Sequence, residues 1–308
     1  MRVGVTLLPE YAWAQDRERW LRAEQYGFDH AWTFDHLAWR SLADSPWHAT
    51  IPTLTAAALT TTTLRIGTWV TSPNFRHPVP LAKDLMTLDV MSGGRLNIGL
   101  GSGTRGFDAS MLGQPELTPP QAALRFREFV TLLDVLLRQP ETTWRGEWYA
   151  AVEARTIPGC VQQPRPPLLV AANGPQGMRL AQEMGSGWIT MGSAPPGVEP
   201  EQWWAGVAAA ARRFEELWSE SERSATLPRY LNLETVAAAY ESVDQFREAF
   251  GRAGELGFTD VVIAWPRPSE PFAGDERLLA ELAAQLGDIH LEHSRSTVRS
   301  EGEPRMAE

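Results

Sequence analysis

Three times along this chain an amphipathic run ends on a glycine and hands over to a short apolar stretch. Ala23-Glu24-Gln25-Tyr26-Gly27-Phe28-Asp29 precedes His30-Ala31-Trp32-Thr33. Ala181-Gln182-Glu183-Met184-Gly185-Ser186-Gly187 precedes Trp188-Ile189-Thr190, and Ala253-Gly254-Glu255-Leu256-Gly257-Phe258-Thr259-Asp260 precedes Val261-Val262-Ile263-Ala264. Each phrase reads as a helix closed by glycine at its C-cap, where φ > 0 is needed, followed by a buried strand. Further strand candidates are Val3 to Leu8, Leu64 to Val70, Arg95 to Leu100, Pro167 to Ala172 and Arg229 to Leu233. Helical patterns such as Ala122 to Leu137 and Trp203 to Leu217 lie between them.

Continuous apolar strands alternating with helices imply a parallel sheet. Eight such units favour the α/β class closed into a (β/α)8 TIM barrel. An open Rossmann sheet is the alternative, but no G-x-G-x-x-G follows the first strand. The length of 308 residues fits a barrel of about 250 residues with loop insertions. Residues 101–120 and 139–167, rich in Gly and Pro, are read as those insertions. No linker divides the chain, so a single domain is expected over residues 1–290. The charged stretch 291–308 is expected to be a disordered tail.

Composition narrows the function classes. A net charge of −10 argues against nucleic acid as partner, since that needs a basic footprint. A small anion is still compatible, because helix N-termini bind phosphate without net positive charge. No run reaches the roughly 20 apolar residues of a membrane span. Met1-Arg2 leads directly into strand-like sequence with no secretory cleavage site, so a cytoplasmic location is expected. Cys160, the single cysteine, leaves neither a disulfide nor a cysteine metal cluster. The histidines lack metal-ligand spacing, and no metal is expected. Lys83, the single lysine, reads as a helix-surface residue rather than a Schiff-base nucleophile.

In a barrel, chemistry sits on the loops after the strands. After the second strand come Phe34-Asp35-His36, then Trp39 and Trp47. An Asp-His pair offers a proton carrier near neutral pH, although a plain polar loop start explains it equally well. After the third strand, Trp69, Val70 and Ser72 could stack on a heterocycle and orient its polar edge. The closely spaced Gly99, Gly101 and Gly103 would let a ligand approach the backbone. Ala172-Asn173-Gly174-Pro175 running into a helix is a ready-made phosphate cradle, with Met191-Gly192 in a second small loop beside it. Trp39, Trp47, Trp69 and Trp265 fall at or beyond strand ends, which would give a site apolar walls.

These segments, in this order, resemble the bacterial-luciferase-like superfamily of flavin- and deazaflavin-dependent oxidoreductases. The most specific stretches are Leu64-Arg65-Ile66-Gly67-Thr68, Arg76-His77-Pro78, Ser92-Gly93-Gly94-Arg95 and Val170-Ala171-Ala172-Asn173-Gly174-Pro175. The chain is most similar to members that use coenzyme F420, a 5-deazaflavin hydride carrier. The resemblance implies a (β/α)8 barrel, a small-molecule substrate and a homodimer. It implies that Asp35 and His36 are catalytic, with Asp35 holding His36 and lying by the deazaflavin ring. Cofactor contacts are implied for Trp69, Val70 and Ser72, with a non-prolyl cis peptide at Trp69-Val70. The same holds for Ala172, Asn173, Gly174, Pro175, Met191 and Gly192. Trp39, Trp47, Thr104 and Trp265 are expected to line the substrate pocket. Where sugar-phosphate dehydrogenases of the family carry an acidic glutamate after the fourth-strand glycines, this chain has Thr104-Arg105. A fairly apolar substrate is therefore expected, with C=N or C=C reduction or alcohol oxidation. The alternatives are an FMN-dependent monooxygenase using O₂ and a barrel that only sequesters a flavin.

Overall fold

Strands buried from end to end need cover on both faces, and a closed barrel wrapped by helices supplies it. The computed structural model describes residues 1–103, 106–194, 197–219, 227–234 and 242–287. Eight parallel strands form the barrel: β1 (Arg2–Thr6), β2 (His30–Thr33), β3 (Arg65–Thr71), β4 (Leu96–Leu100), β7 (Leu168–Ala171), β8 (Gly187–Thr190), β9 (Arg229–Asn232) and β10 (Asp260–Ala264). Their order around the barrel is β1-β10-β9-β8-β7-β4-β3-β2. The first and last strands close it, in register from Arg2 against Asp260 to Thr6 against Ala264. The helices are α1 (Trp13–Gln25), α2 (Thr50–Thr60), α3 (Pro78–Met91), α4 (Phe107–Met111), α5 (Pro119–Arg138), α6 (Pro175–Met184), α7 (Pro200–Ser219) and α8 (Val243–Glu255). A further helical stretch covers residues 276–287. The expected tail, 291–308, lies outside the described residues.

The side-chain period of two divides each strand between two cores. Trp32, Trp69, Leu169, Ile189, Tyr230 and Val262 point into the barrel and form one cluster. Their chain neighbours Ala31, Leu168, Val170, Trp188, Leu231, Val261 and Ile263 join the larger cluster beneath the helices. Inside, the Trp32 ring lies 4.9 Å from Trp69 and meets Tyr230 edge-on at 6.0 Å. Below them Trp32 Nε1 donates to His30 Nδ1 at 2.7 Å. An indole N–H can only donate, so Nδ1 is an acceptor and His30 carries its proton on Nε2, 2.9 Å from Asp260 Oδ1. Burial opposes the Asp260 charge, but hydrogen bonds from His30 and Arg2 outweigh it and hold the carboxyl below its ordinary range.

The recurring phrase is met with one difference. Gly27 and Gly257 both take φ of 79°, the left-handed C-cap expected for glycine. Gly185 does not: it is extended, with φ −72° and ψ 157°. Glycine is required there by contact, since a Cβ would lie 2.5 Å from Ala181 O. The stretch 139–167 is also more ordered than a loop insertion. It contains an antiparallel hairpin of β5 (Glu141–Arg145) and β6 (Ala150–Arg155). The Glu128 carboxylate pins its turn by accepting the amides of Glu147, Trp148 and Tyr149 at 2.9–3.1 Å. Strands built from Glu, Thr, Ala and Arg carry little apolar alternation, which hides them from a hydrophobic reading.

Within the first phrase, Glu24 anchors α1 to the start of β3. Its carboxylate accepts the amides of Thr62, Thr63 and Leu64 at 2.6–2.9 Å. Burial acts to raise its pKa, yet the three amides outweigh it and lower the group to about 2. A depressed carboxyl pKa stabilises the fold fully above the unfolded value near 4.5, and the contribution is lost as pH falls through about 2. Glu24→Gln is expected to cost about 1–2 kcal/mol at neutral pH, after allowance for solvent screening. In denaturant titrations the gap from wild type should narrow steadily below about pH 4.5. A gap independent of pH would refute the charge-based account.

Candidate active site

The carboxyl ends of the barrel strands surround a cavity of about 1280 Å³. Continuing the inward register of β2 past Trp32 brings Phe34 and then His36 to its wall. Phe34, Trp39 and Phe272 pack together there, with ring centroids 5.0–6.4 Å apart. They form an apolar wall.

His36 is a quarter exposed, and its Nδ1 lies 2.7 Å from Asp108 Oδ2. The other carboxylate oxygen accepts the Leu37 amide at 2.7 Å. Asp108, in the first turn of α4, is 4% exposed. The two bonds fix the ring and draw the Nδ1 proton towards Asp108. The other ring nitrogen, Nε2, is not engaged by Asp108. Trp47 reinforces the arrangement from behind, donating from Nε1 to His36 O at 2.9 Å and stacking on Trp39.

Asp35 does not hold His36, contrary to expectation. It is fully buried and lies off the cavity wall. Its carboxylate is forked by Arg76, with Nε at 3.0 Å and Nη2 at 2.6 Å, and it accepts the Thr71 hydroxyl. The reason is register: Phe34 points inward, so Asp35 beside it points away. Burial disfavours the Arg76 charge, but the Asp35 carboxylate more than compensates and raises the guanidinium pKa.

Trp69, Val70 and Ser72 lie together on the wall beside β4. The Trp69–Val70 peptide bond is cis. Much of the room left by Gly99 in β4 and Gly101 just beyond it is filled by β3 rather than left for a ligand. A Cβ on Gly99 would lie 2.2 Å from Thr68 O, and one on Gly101 2.6 Å from Val70 Cγ2.

Beyond β4, at the end of the neighbouring β7, stands the N-terminus of α6. Ala172, Asn173, Gly174 and Pro175 all line the cavity. No side chain caps the helix, Pro175 has no N–H, and the first amide bonded within the helix is that of Met178. The amides of Gln176 and Gly177 are therefore available to an anion. Gly174 faces open space, and a Cβ there would meet nothing within 4 Å. The Thr190 hydroxyl orients Asn173, donating to its Oδ1 at 2.7 Å. Arg127 and Arg179 stand at the same end.

Met191 lines the cavity, whereas Gly192 does not; its amide turns back to the Thr190 hydroxyl at 3.0 Å. Trp47 sits one layer behind the wall. Trp265 is absent from the wall altogether: its register with Val261 and Ile263 places it in the outer core. There it stacks on Tyr26 and donates to Glu276 Oε1 at 3.0 Å. Thr104 falls outside the described residues. Lys83 is exposed on α3, as read from the sequence. Asp108 and Glu234 are among the wall residues that escaped the sequence reading. Asp108 carried no signal, because nothing local ties it to a histidine 72 residues away. Glu234 did carry one: it is the first residue after the Arg229-to-Leu233 strand candidate.

Among the described residues no group of three or more His, Cys, Asp or Glu is placed to hold a metal ion. No helix there is long and apolar enough to cross a membrane.

The barrel and its cavity define a class of protein: a (β/α)8 barrel whose strand ends enclose a cavity with an Asp108-bonded histidine on its wall and an uncapped helix N-terminus beside it. The family model for luciferase-like monooxygenases matches residues 1–296, and the chain belongs to that family. It is 38% identical over 169 residues to the F420-dependent glucose-6-phosphate dehydrogenase of Beutenbergia cavernae, covering 54% of this chain and 49% of that one. The chain thus spans about half the length of that relative. It is 27% identical over 270 residues to the 5,10-methylenetetrahydromethanopterin reductase of Archaeoglobus fulgidus, covering 86% and 71% of the two chains. In fold it resembles the coenzyme F420-dependent tetrahydromethanopterin reductase of Methanopyrus kandleri. The TM-score is 0.73 at 20% identity, covering 92% of this chain and 97% of that one.

Proposed function

We propose that the protein is a coenzyme F420-dependent oxidoreductase acting on a small, fairly apolar organic substrate. The observation that carries this reading is the pairing, in one cavity, of the Asp108-backed His36 with the uncapped α6 N-terminus. The relatives that carry F420 in their names support the choice of cofactor. The residues present fit such a group. The open side of Gly174 and the bare amides of α6 suit a phosphate, and the apolar face of Trp69 and Val70 beside Ser72 suits a planar heterocycle.

A bound deazaflavin would supply the hydride acceptor or donor at its C5. The chain's own part is binding, orientation and proton placement. The α6 amides and Asn173–Pro175 would hold the phosphate, while Trp69, Val70 and Ser72 would position the ring. Phe34, Trp39 and Phe272 exclude water from the reacting end, which strengthens every polar contact there. His36 gives a proton to the substrate, or takes one from it, at Nε2, and Asp108 keeps the ring in place. The aromatic wall suits an apolar C=N, C=C or alcohol substrate better than a sugar phosphate.

Paired binding titrations of the cofactor-free protein with coenzyme F420 and with FMN test the assignment. F420 is expected to bind at least about tenfold more tightly, a difference of about 1.4 kcal/mol. Preference for FMN would overturn it in favour of an O₂-using monooxygenase, with oxygen consumption as the next assay.

A further inference from the structure

Phe272 reaches the aromatic wall from the loop that follows β10. Its own backbone does not favour that place, because its φ of 68° lies in the left-handed region that side chains disfavour. A residue kept there must be fixed by its surroundings, and such residues gather at ligand clamps. The fixing group is Arg267, which is 6% exposed. Its Nε and Nη2 fork the Glu10 carboxylate at 2.7 and 2.8 Å. Its Nη1 donates to the carbonyls of Ser269 and Pro271 at 2.9 and 2.7 Å. The Arg267 backbone closes the same loop: its amide donates to Phe272 O at 2.8 Å, and the Gly274 amide donates to Arg267 O at 3.0 Å. Glu10 stands on the loop after β1, the strand paired with β10, so the fork spans the seam where the barrel closes. So held, Phe272 stacks on Trp39 at 6.0 Å and meets Phe34 edge-on at 6.4 Å. Phe34 in turn meets the His36 ring edge-on at 6.4 Å.

We propose that Phe272 is a specificity-determining residue that limits the bulk of the substrate beside His36, and that Arg267 is the positioning residue that sets its place. This deepens the oxidoreductase reading and rests on it. Phe34 and Trp39 are buried, whereas Phe272 packs on them half-buried and keeps part of its surface on the cavity wall. The apolar part of a substrate lies against that surface, so the reach of the 266–274 loop sets the space it is given. A close-packed wall yields little, and a displacement of about 1 Å changes which group fits in reacting position. Arg267 suits this task because one planar fork serves Glu10 and two carbonyls together. A lysine keeps the charge beside Glu10 but has no fork to match. The place of the ring, rather than the charge itself, is therefore what Arg267 supplies.

The test has two parts. In the cofactor-free protein, fluorophenylalanine placed at position 272 should give a fluorine resonance shifted from that of the free amino acid by the Trp39 and Phe34 rings. Arg267→Lys and Arg267→Gln should both move it towards the free value. A resonance unchanged in both overturns the positioning role. With reduced F420, acetophenone and benzophenone serve as probes that share an aryl ketone and differ in bulk. Wild type is expected to reduce acetophenone with kcat/KM at least about tenfold higher. Phe272→Ala should narrow that ratio about tenfold. Arg267→Lys should narrow it too, acting through the KM for acetophenone more than through kcat, with F420 affinity kept. Parallel loss of kcat and F420 affinity in Arg267→Lys, with the ratio unmoved, marks a merely structural role and overturns the positioning claim. A ratio unchanged in Phe272→Ala overturns the specificity claim. So does tight F420 binding by wild type with neither ketone reduced, or with benzophenone preferred. Failure to bind F420 overturns instead the reading on which the proposal rests.

Discussion

His36→Ala is expected to lower turnover by about 10²–10⁴-fold, the usual worth of a positioned acid–base group, while the protein stays folded and keeps its cofactor affinity. The expectation follows from where the ring is held. Nδ1 is committed to Asp108 at 2.7 Å, the ring edge lies on the cavity wall, and the side chain is a quarter exposed. Truncation to alanine at such a position opens little new void, so the loss should fall on chemistry rather than stability. Asp108→Asn supplies the internal control. An amide cannot accept the Nδ1–H through both roles that the carboxylate serves, and the ring is then free to turn. That variant should lose less than His36→Ala, and the double variant should lose no more than His36→Ala alone, because the two side chains act as a unit. Steady-state kinetics beside thermal unfolding decide it. Turnover within about threefold of wild type for His36→Ala would remove the histidine from the mechanism.

Asp35→Ala should instead cost about 3–5 kcal/mol of stability, the cost of leaving one partner of a buried ion pair alone. Asp35 is fully buried, and Arg76 is held by it through two hydrogen bonds of 2.6 and 3.0 Å. Without the carboxylate, a guanidinium whose side chain is one-fifth exposed keeps its charge in a largely dry setting. Thr71 also loses its acceptor. The loss should appear in denaturant unfolding of the cofactor-free protein, before any ligand or turnover is involved. If Asp35→Ala matched wild type in stability and failed only in catalysis, the catalytic role expected from its place beside His36 would be restored. The two neighbours in sequence thus separate cleanly, one serving the cavity and the other the wall behind it.

That separation shows how far the chain could be read in one dimension. The eight barrel strands were legible because burial on both faces demands unbroken apolar runs, and glycine-closed helices punctuate them. Of the residues singled out at strand ends and on the loops after them, His36, Trp39, Trp69, Val70, Ser72, the 172–175 segment and Met191 reach the cavity. Asp35, Trp265 and Gly192 did not follow them. In each case the strand end or its loop turned the residue to the other side, and composition carries no record of that turn. The β5–β6 hairpin was missed because its strands carry little apolar alternation in sequence, while the Glu128 carboxylate that holds its turn lies on another element.

Local order in the chain therefore determined the barrel, its strand and helix alternation and the face on which a ligand would lie, because hydrophobic periodicity and glycine caps act over a few residues. Tertiary closure alone decided which carboxylate meets His36 and which acid becomes buried at the mouth. Asp108 reaches His36 across 72 residues of chain, and Glu234 comes to the same cavity from the far side of the barrel. Hydrogen bonds and desolvation depend on distance in space, and neither is written into spacing along the chain.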